Sequence, residues 1–256
     1  MQQSYTHTYS LTAGECNAQG VMPVSLLTSR LIEVATEHAN GLGIGYAGLQ
    51  PRGIVWVLSR VSIKMLSWPG INSTYSVTTW VEGWTRFYSD RCFMISDGDG
   101  NVIGYARTVW VAIDIKKRTV AQLDEIADEA MVNTVLQCAV PKQRKMPAVV
   151  LDEATQQKEY TFQYADLDFN RHVNSVRYIE HILNLWPLDF FDKHSLDVFE
   201  IAYVHECLFG QTVTFATKEA VDQDGNQIAA VDILRDGERV ITARLAFSER
   251  NKLQTT

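Results

Sequence analysis

The stretch NSVRYIEHILNLWP, residues 174–187, predicts the helix around which the C-terminal half of the chain folds. Asn174 is suited to cap its first turn, and Pro187 cannot continue it beyond the last one. Between these two residues, apolar side chains recur at helical spacing and form one face: Val176, Ile179, Ile182, Leu183 and Trp186. One apolar face is typical of a helix that packs against a single layer of other structure.

A second helix of the same kind is predicted in the N-terminal half, from Pro23 to Gly41. Its apolar positions are Val24, Leu27, Leu31 and Ala35. In both halves the strands that follow alternate apolar and polar residues, as at 75–81 and 212–216. Asp-Gly turns separate these strands at Asp97, Asp99, Asp224 and Asp236. One helix followed by consecutive strands predicts an α+β fold in which an antiparallel β-sheet wraps around the helix.

The two halves also resemble each other in sequence, which indicates an internal repeat. The last hairpins match Asp99, Gly100, Ala106 and Arg107 with Asp236, Gly237, Ala243 and Arg244. The strand after each helix matches Val61, Ile63 and Gly70 with Ile201, Tyr203 and Gly210. The alternative is that any two α+β segments resemble each other at this level. We expect an N-terminal half over 1–120, a linker with a helix over 121–155 and a C-terminal half over 156–256.

Composition excludes several classes of protein. The 256 residues are 46% hydrophobic, which is ample for a core, and the formal charge of −7 disfavours nonspecific binding to nucleic acids. The four cysteines lie far apart and the six histidines have no metal-ligand spacing, so we expect no disulfide framework, metal or cofactor. The first twenty residues lack the pattern of an export signal, and no long apolar run occurs, so we expect a cytoplasmic protein without a membrane span.

Three polar residues alternate just before the C-terminal helix: Asp168, Asn170 and His172. An extended backbone would project all three to one side, beside the free N–H groups of the helix N-terminus. There a carboxylate can fix the tautomer of an imidazole, an amide can orient a carbonyl or a water, and N–H groups can stabilise an oxyanion. The structural alternative is a polar loop whose side chains satisfy backbone groups and cap the helix.

The sequence of the N-terminal half favours the reactive interpretation. The predicted repeat places Cys16, Ala18 and Gly20 opposite Asp168, Asn170 and His172. A residue that only built the turn should be needed in both halves. Glu206 is a further candidate, either surface-facing or pointed into a cleft where it could act as a base, and its counterpart in the repeat is Leu66.

The sequence resembles the acyl-acyl carrier protein thioesterases of plant plastids and bacteria over about residues 9–247. The resemblance rests on DLDFNRHVN at 166–174, YVHEC at 203–207 and IVWVLSR at 54–60 together with 73–84. It implies a tandem hotdog fold, with the acyl chain held largely by the N-terminal half and the catalytic residues in the C-terminal half. Those residues would be Asp168, Asn170, His172 and Glu206. Ser175 departs from the plant pattern, which has asparagine there, and the absence of a plastid transit segment implies a bacterial member.

The reaction implied is hydrolysis of a fatty acyl thioester on acyl carrier protein, which ends fatty acid synthesis. Glu206 would act as general base or as nucleophile, while Asp168 and His172 would form a pair that positions water or protonates the leaving thiolate. Asn170 would hold the water or the carbonyl, and backbone N–H groups near Val173 and Asn174 would stabilise the oxyanion.

Three alternatives remain open. Cys207 could be the nucleophile with His172 as base, although thiols are commonly small buried hydrophobes. The chain could be an acyl-binding hotdog protein without activity, or its substrates could be coenzyme A thioesters. The assembly is left open between a monomer and a homodimer.

The predicted partner, acyl carrier protein, is acidic and would dock on basic residues. The densest basic groups are Lys116, Lys117 and Arg118, and Lys142, Arg144 and Lys145, although a charge run is more often a solvated face. Candidates for contact with the acyl chain are Val24, Leu27, Leu31 and Trp56.

Overall fold

A computed structural model of the chain describes residues 3–133, 135–143, 145–153 and 155–250. It divides into two compact units, Met1–Gln143 and Arg144–Thr256. Residues 121–143, the first part of the predicted linker, therefore belong to the N-terminal unit. In the described part of this segment, the predicted helical character is limited to two 3-10 helices, Leu123–Glu125 and Glu129–Met131.

The N-terminal unit packs one long helix against an antiparallel sheet. Its helices are α1 (Val24–Gly41) and α2 (Tyr46–Leu49), and its strands are β1 (Ser4–Ser10), β2 (Ile54–Met65), β3 (Thr74–Trp84), β4 (Tyr88–Asp97), β5 (Val102–Asp114) and β6 (Thr119–Val120). The strand order is β1-β3-β4-β5-β2, with β6 paired to β5. Helix α1 lies against β1 and β3, and its predicted apolar face is buried, with Leu27 and Leu31 fully so.

The C-terminal unit has the same plan. Its elements are β7 (Gln156–Thr161), α3 (Ser175–Leu183), α4 (Leu188–Lys193), β8 (His194–Tyr203), β9 (Thr212–Val221), β10 (Gln227–Arg235) and β11 (Glu238–Glu249). The antiparallel order is β8-β11-β10-β9-β7. Asn174 caps α3 by accepting the Val176 N–H at 2.9 Å, as predicted. The helix ends at Leu183, earlier than predicted, and buries Tyr178, Ile179 and Ile182.

The hydrogen bonds repeat between the units and correct the sequence alignment. The N–H groups of Leu66 and Ser67 both donate to the Ile103 carbonyl, and those of Val204 and His205 both donate to the Val240 carbonyl. Leu66 therefore corresponds to Val204, and Trp68 corresponds to Glu206. The predicted match of Leu66 with Glu206 is wrong by two residues, because matching apolar positions along a strand does not fix where its last ladder bond falls.

A charged network before each helix also repeats. In the C-terminal unit the buried Asp166 accepts from the Gln163 N–H at 2.7 Å and from the Tyr160 hydroxyl at 2.9 Å, and it lies 2.8 Å from Nε2 of His181 on α3. In the N-terminal unit Glu15 accepts from the Thr12 N–H at 2.9 Å and from Arg30 of α1 at 2.8 Å. Each carboxylate ties the chain before the helix to the helix itself.

The Asp166 carboxylate gives the fold a defined pH dependence. Burial alone would raise the pKa of Asp166, but hydrogen bonds from Gln163, His181 and Tyr160 outweigh it and hold that pKa below its ordinary value. Since the folded pKa is the lower one, ionised Asp166 stabilises the fold fully above the unfolded pKa. That stabilisation is lost as the pH falls through the folded value.

We predict that Asp166→Asn lowers the free energy of unfolding by about 2 kcal/mol at neutral pH, because charge-assisted hydrogen bonds are lost. The difference from the wild type should narrow as the pH falls through the carboxyl range, as measured by urea unfolding. Asp189→Asn, at an exposed helix position, is the control and should change little. A difference that does not depend on pH would contradict the role of the charge.

Candidate active site

The stretch that carries the predicted catalytic residues is a closed turn. The Asp168 N–H donates to the His172 carbonyl at 2.8 Å, and the Arg171 N–H donates to the Asp168 carbonyl at 3.0 Å. Asp168 Oδ1 also accepts from the N–H groups of Asn170 at 2.8 Å and His172 at 3.1 Å. Arg171 completes the turn with a left-handed backbone, at φ 66°. The prediction of an extended backbone is wrong, because these backbone groups bond inside the turn.

The N-terminal unit contains the same turn, one residue away from the predicted alignment. Asn17 Oδ1 accepts from the N–H groups of Gln19 at 3.1 Å and Val21 at 3.2 Å, and the Asn17 N–H donates to the Val21 carbonyl at 2.9 Å. Gly20 holds the left-handed position, at φ 71°. The true counterparts of Asp168, Asn170 and His172 are Asn17, Gln19 and Val21. Cys16, Ala18 and Gly20 are not the counterparts, because the capping contacts before each helix set the register.

This correction changes what Asp168 does. Its carboxylate organises the turn as the Asn17 amide does in the other unit, so a turn residue is present in both halves. At this turn, the C-terminal unit has an imidazole–carboxylate pair that the N-terminal turn does not have, with His172 Nδ1 3.3 Å from Glu206 Oε2. The corresponding residues of the N-terminal unit are Val21 and Trp68. The chemical asymmetry between the halves therefore lies in His172 and Glu206.

Backbone contacts bring His172 and Glu206 together. His172 forms an antiparallel bridge with Leu208, and the Val173 N–H donates to the Cys207 carbonyl at 2.8 Å. The Glu206 side chain is 63% exposed and that of His172 is 36% exposed, so the pair is open to a substrate. A carboxylate on the Nδ1 side favours the tautomer in which Nε2 is the basic nitrogen.

The predicted oxyanion donors are already occupied. The Val173 N–H is bonded to Cys207, and the Asn174 N–H donates to the Asp166 carbonyl at 2.8 Å. Asn170 is exposed at the tip of the turn, where its amide is accessible to a substrate carbonyl. Cys207 is fully buried, which disfavours it as a nucleophile.

The acyl-chain candidates lie in the core of the N-terminal unit. Val24, Leu27 and Leu31 are buried on α1, and the Trp56 indole donates to the Ile44 carbonyl at 2.8 Å. Their contact with an acyl chain remains a prediction.

The basic candidates differ in availability. Lys116, Lys117, Arg118 and Lys145 are exposed. Lys142 is committed to Asp90 at 2.7 Å, and Arg144 lies outside the described residues. Among the residues that the structure describes, no group of three or more His, Cys, Asp or Glu side chains is arranged to hold a metal ion. In the same residues, no helix combines the length and apolar character needed to cross a membrane.

Comparison with protein families decides the relationship. The model of the acyl-ACP thioesterase N-terminal domain matches residues 2–131, and that of the C-terminal domain matches residues 150–249. The chain belongs to the acyl-ACP thioesterase family. The chain is similar to an acyl-ACP thioesterase of Bacteroides thetaiotaomicron whose crystal structure is known. The two sequences are 33% identical, and the structures superpose with a TM-score of 0.83 over 96% of this chain and 98% of that one. The predicted family and tandem hotdog fold are thereby confirmed.

Plant members of the acyl-ACP thioesterase family are more distant. The chain is 26% identical over 96% of its length to a chloroplastic palmitoyl-acyl carrier protein thioesterase of Cuphea hookeriana, and it spans 63% of that relative. The 12:0-ACP thioesterase of Umbellularia californica shares the fold, with a TM-score of 0.84 at 18% identity over 97% of this chain and 95% of that one.

Sequence reasoning missed the network of Asp166, His181 and Tyr160. The signal that could have revealed it is the capping-box spacing Thr12 to Glu15, which the C-terminal half repeats as Gln163 to Asp166.

We predict that Asp168→Asn preserves the turn, because the Asn17 amide builds the same turn in the other unit. Asp168→Ala removes the acceptor and should lower the free energy of unfolding by about 1–2 kcal/mol. Thermal and urea unfolding of both variants checks this expectation. Equal destabilisation by asparagine and alanine would show that the charge, not the turn geometry, is what matters.

Proposed function

We propose that the chain hydrolyses fatty acyl thioesters of acyl carrier protein, releasing the free fatty acid and the carrier. The observation that carries the proposal is the His172–Glu206 pair, 3.3 Å apart and solvent-exposed, in the unit that matches the family's C-terminal domain. Family membership and relatives named as acyl-acyl carrier protein hydrolases supply the substrate class.

In this proposal the pair activates a water, which adds to the thioester carbonyl carbon; the C–S bond then breaks and the sulfur receives a proton. Glu206 serves as general base for that water, or attacks the carbonyl itself before the acyl-enzyme is hydrolysed. His172 donates a proton to the leaving thiolate; in the first route it regains the proton that Glu206 took from the water, and in the second it regains one from the water that hydrolyses the acyl-enzyme. The exposed amide of Asn170 faces the developing oxyanion, since the N–H groups of Val173 and Asn174 are already bonded.

Asp168 supports the reaction through the backbone. By accepting the His172 N–H at 3.1 Å, its carboxylate holds the residue that carries the imidazole. We retain the prediction that the N-terminal half houses the acyl chain through Val24, Leu27, Leu31 and Trp56. A cytoplasmic location also remains a prediction from the sequence. The oligomeric state, for which the sequence allowed a homodimer, stays open.

We predict that Glu206→Gln and His172→Gln each lower kcat by about 10²–10⁴-fold, because each removes one member of an acid–base pair. The double variant should be little slower than either single variant, since the two side chains act as a unit. Rapid mixing with an acyl-carrier-protein thioester and detection of the free thiol measures kcat of the two single variants and of the double variant.

Glu159→Gln, an exposed glutamate on β7, is the matched control for loss of one surface charge. Binding without release of thiol by the wild type would instead identify an acyl-binding protein. Full turnover by both single variants would remove the pair from the mechanism. Loss of turnover in Cys207→Ala with intact folding would revive the thiol as nucleophile.

We predict that replacing Lys116, Lys117 and Arg118 by alanine raises KM for acyl carrier protein substrates roughly tenfold at low salt, because an acidic partner loses complementary charge. The same acyl group on coenzyme A should show a smaller change. Lys193→Ala, at an exposed position on α4, is the control. If KM and its salt dependence do not change, acyl carrier protein does not dock on Lys116, Lys117 and Arg118. Equal turnover of the same acyl group on both carriers would favour coenzyme A thioesters as alternative substrates.

A further inference from the structure

Arg235, at the end of β10, is bonded to the segment that carries Glu206. Its Nη1 donates to the Glu206 backbone carbonyl at 2.7 Å and to Gln211 Oε1 at 3.1 Å. The same Gln211 oxygen accepts the Leu208 N–H at 2.9 Å. One guanidinium and one amide thus brace residues 204–211, which we call the Glu206 loop.

The two backbone carbonyls at the centre of the Glu206 loop accept hydrogen bonds from two different donors. Arg235 holds the carbonyl of Glu206, and the N–H of Val173 holds the carbonyl of Cys207. Val173 directly follows His172, so this second bond joins the Glu206 loop to the turn that carries the imidazole. Because the Glu206 side chain is mostly exposed, packing does little to fix it and the backbone must define its position.

The N-terminal unit lacks this brace. In its last hairpin Ile95 pairs with Gly104, as Ile233 pairs with Ile241, so the residue two positions after Ile95 corresponds to Arg235. That residue is Asp97, whose carboxylate binds the N–H groups of Asp99 and Asn101 in its own turn. The position of Gln211 is taken by Ser73, whose hydroxyl donates to the Gly70 carbonyl at 2.7 Å. The arginine brace therefore accompanies the carboxylate in the only half that has one at this position.

We propose that Arg235 is a positioning residue that keeps Glu206 within reach of His172. This inference rests on the proposed function of the pair. The donated hydrogen bond fixes the peptide that follows the Glu206 Cα, and with it the direction in which the carboxylate leaves the loop. Losing the brace lets that carboxylate drift, and a displacement of about 1 Å at a reacting group can cost about 10²-fold in rate.

The test compares Arg235→Met and Arg235→Lys in the wild-type and Glu206→Gln backgrounds, with kcat, KM and Tm measured on an acyl-carrier-protein thioester. Arg235→Met should lower kcat about 10–100-fold with little change in KM. Lysine keeps a cationic hydrogen-bond donor without the planar guanidinium and should recover part of the loss. In the Glu206→Gln background Arg235→Met should add little, because there is no carboxylate left to position.

Arg250→Met is the matched control, since Arg250 also donates to a backbone carbonyl, that of His194 at 3.4 Å, in the same unit. If Arg235→Met lowers Tm strongly, Gln211→Met provides the second variant and should lower kcat in the same direction by a smaller factor. The positioning role would be overturned if kcat were unchanged in Arg235→Met and in Gln211→Met. It would also be overturned if Arg235→Met lowered kcat by the same factor in the wild-type and Glu206→Gln backgrounds. Full activity of Glu206→Gln would instead overturn the proposed function of the pair, and the positioning role with it.

Discussion

The turn closed by Asp168 is the constraint on which the site depends. One carboxylate oxygen accepts two backbone N–H groups, and Arg171 takes the left-handed conformation that lets the chain reverse. The turn places His172 beside the Glu206 loop, where the Val173 N–H and the Cys207 carbonyl complete the connection. The N-terminal unit builds the same turn with Asn17 and Gly20. The turn is therefore a feature of the fold, and one copy of it carries the proposed His172–Glu206 pair.

At the proposed site, the two units differ in a few side chains. Val21 and Trp68 of the N-terminal unit occupy the positions of His172 and Glu206, while the carboxylate networks of Glu15 and Asp166 are kept in both. Both units need these networks, because each carboxylate joins the loop before a helix to that helix by charge-assisted hydrogen bonds. The imidazole and the carboxylate that stand in place of this apolar pair are 36% and 63% exposed, so neither polar side chain lies in the core.

Two errors in the predicted repeat have one origin. Its register is off by one residue before the helices and by two along the strand that follows each helix, where Ile63 pairs with Ala106 as Ile201 pairs with Ala243. Apolar periodicity reports which face of an element is buried, and it is insensitive to an inserted residue in a loop. The misjudged register made Asp168 look unmatched, when Asn17 stands in its place. It also set Leu66 rather than Trp68 against Glu206. Only the distance in the structure shows that the carboxylate beside the His172 imidazole is that of Glu206.

The sequence by itself determined the α+β plan, the two helices with the Asn174 cap, the buried face of α1 and the family, and it predicted four polar residues for the site. These follow from local periodicity, from capping chemistry and from short motifs, all of which are written in consecutive residues. Only the tertiary structure decided that the segment before α3 is a turn, that the Val173 and Asn174 N–H groups are occupied, and that Arg235 braces the Glu206 loop. The turn depends on short-range hydrogen bonds of Asp168, which compete with an extended backbone. The bonds of Val173 with Cys207 and of Arg235 with Glu206 join residues far apart in the chain, and no local pattern specifies such partners.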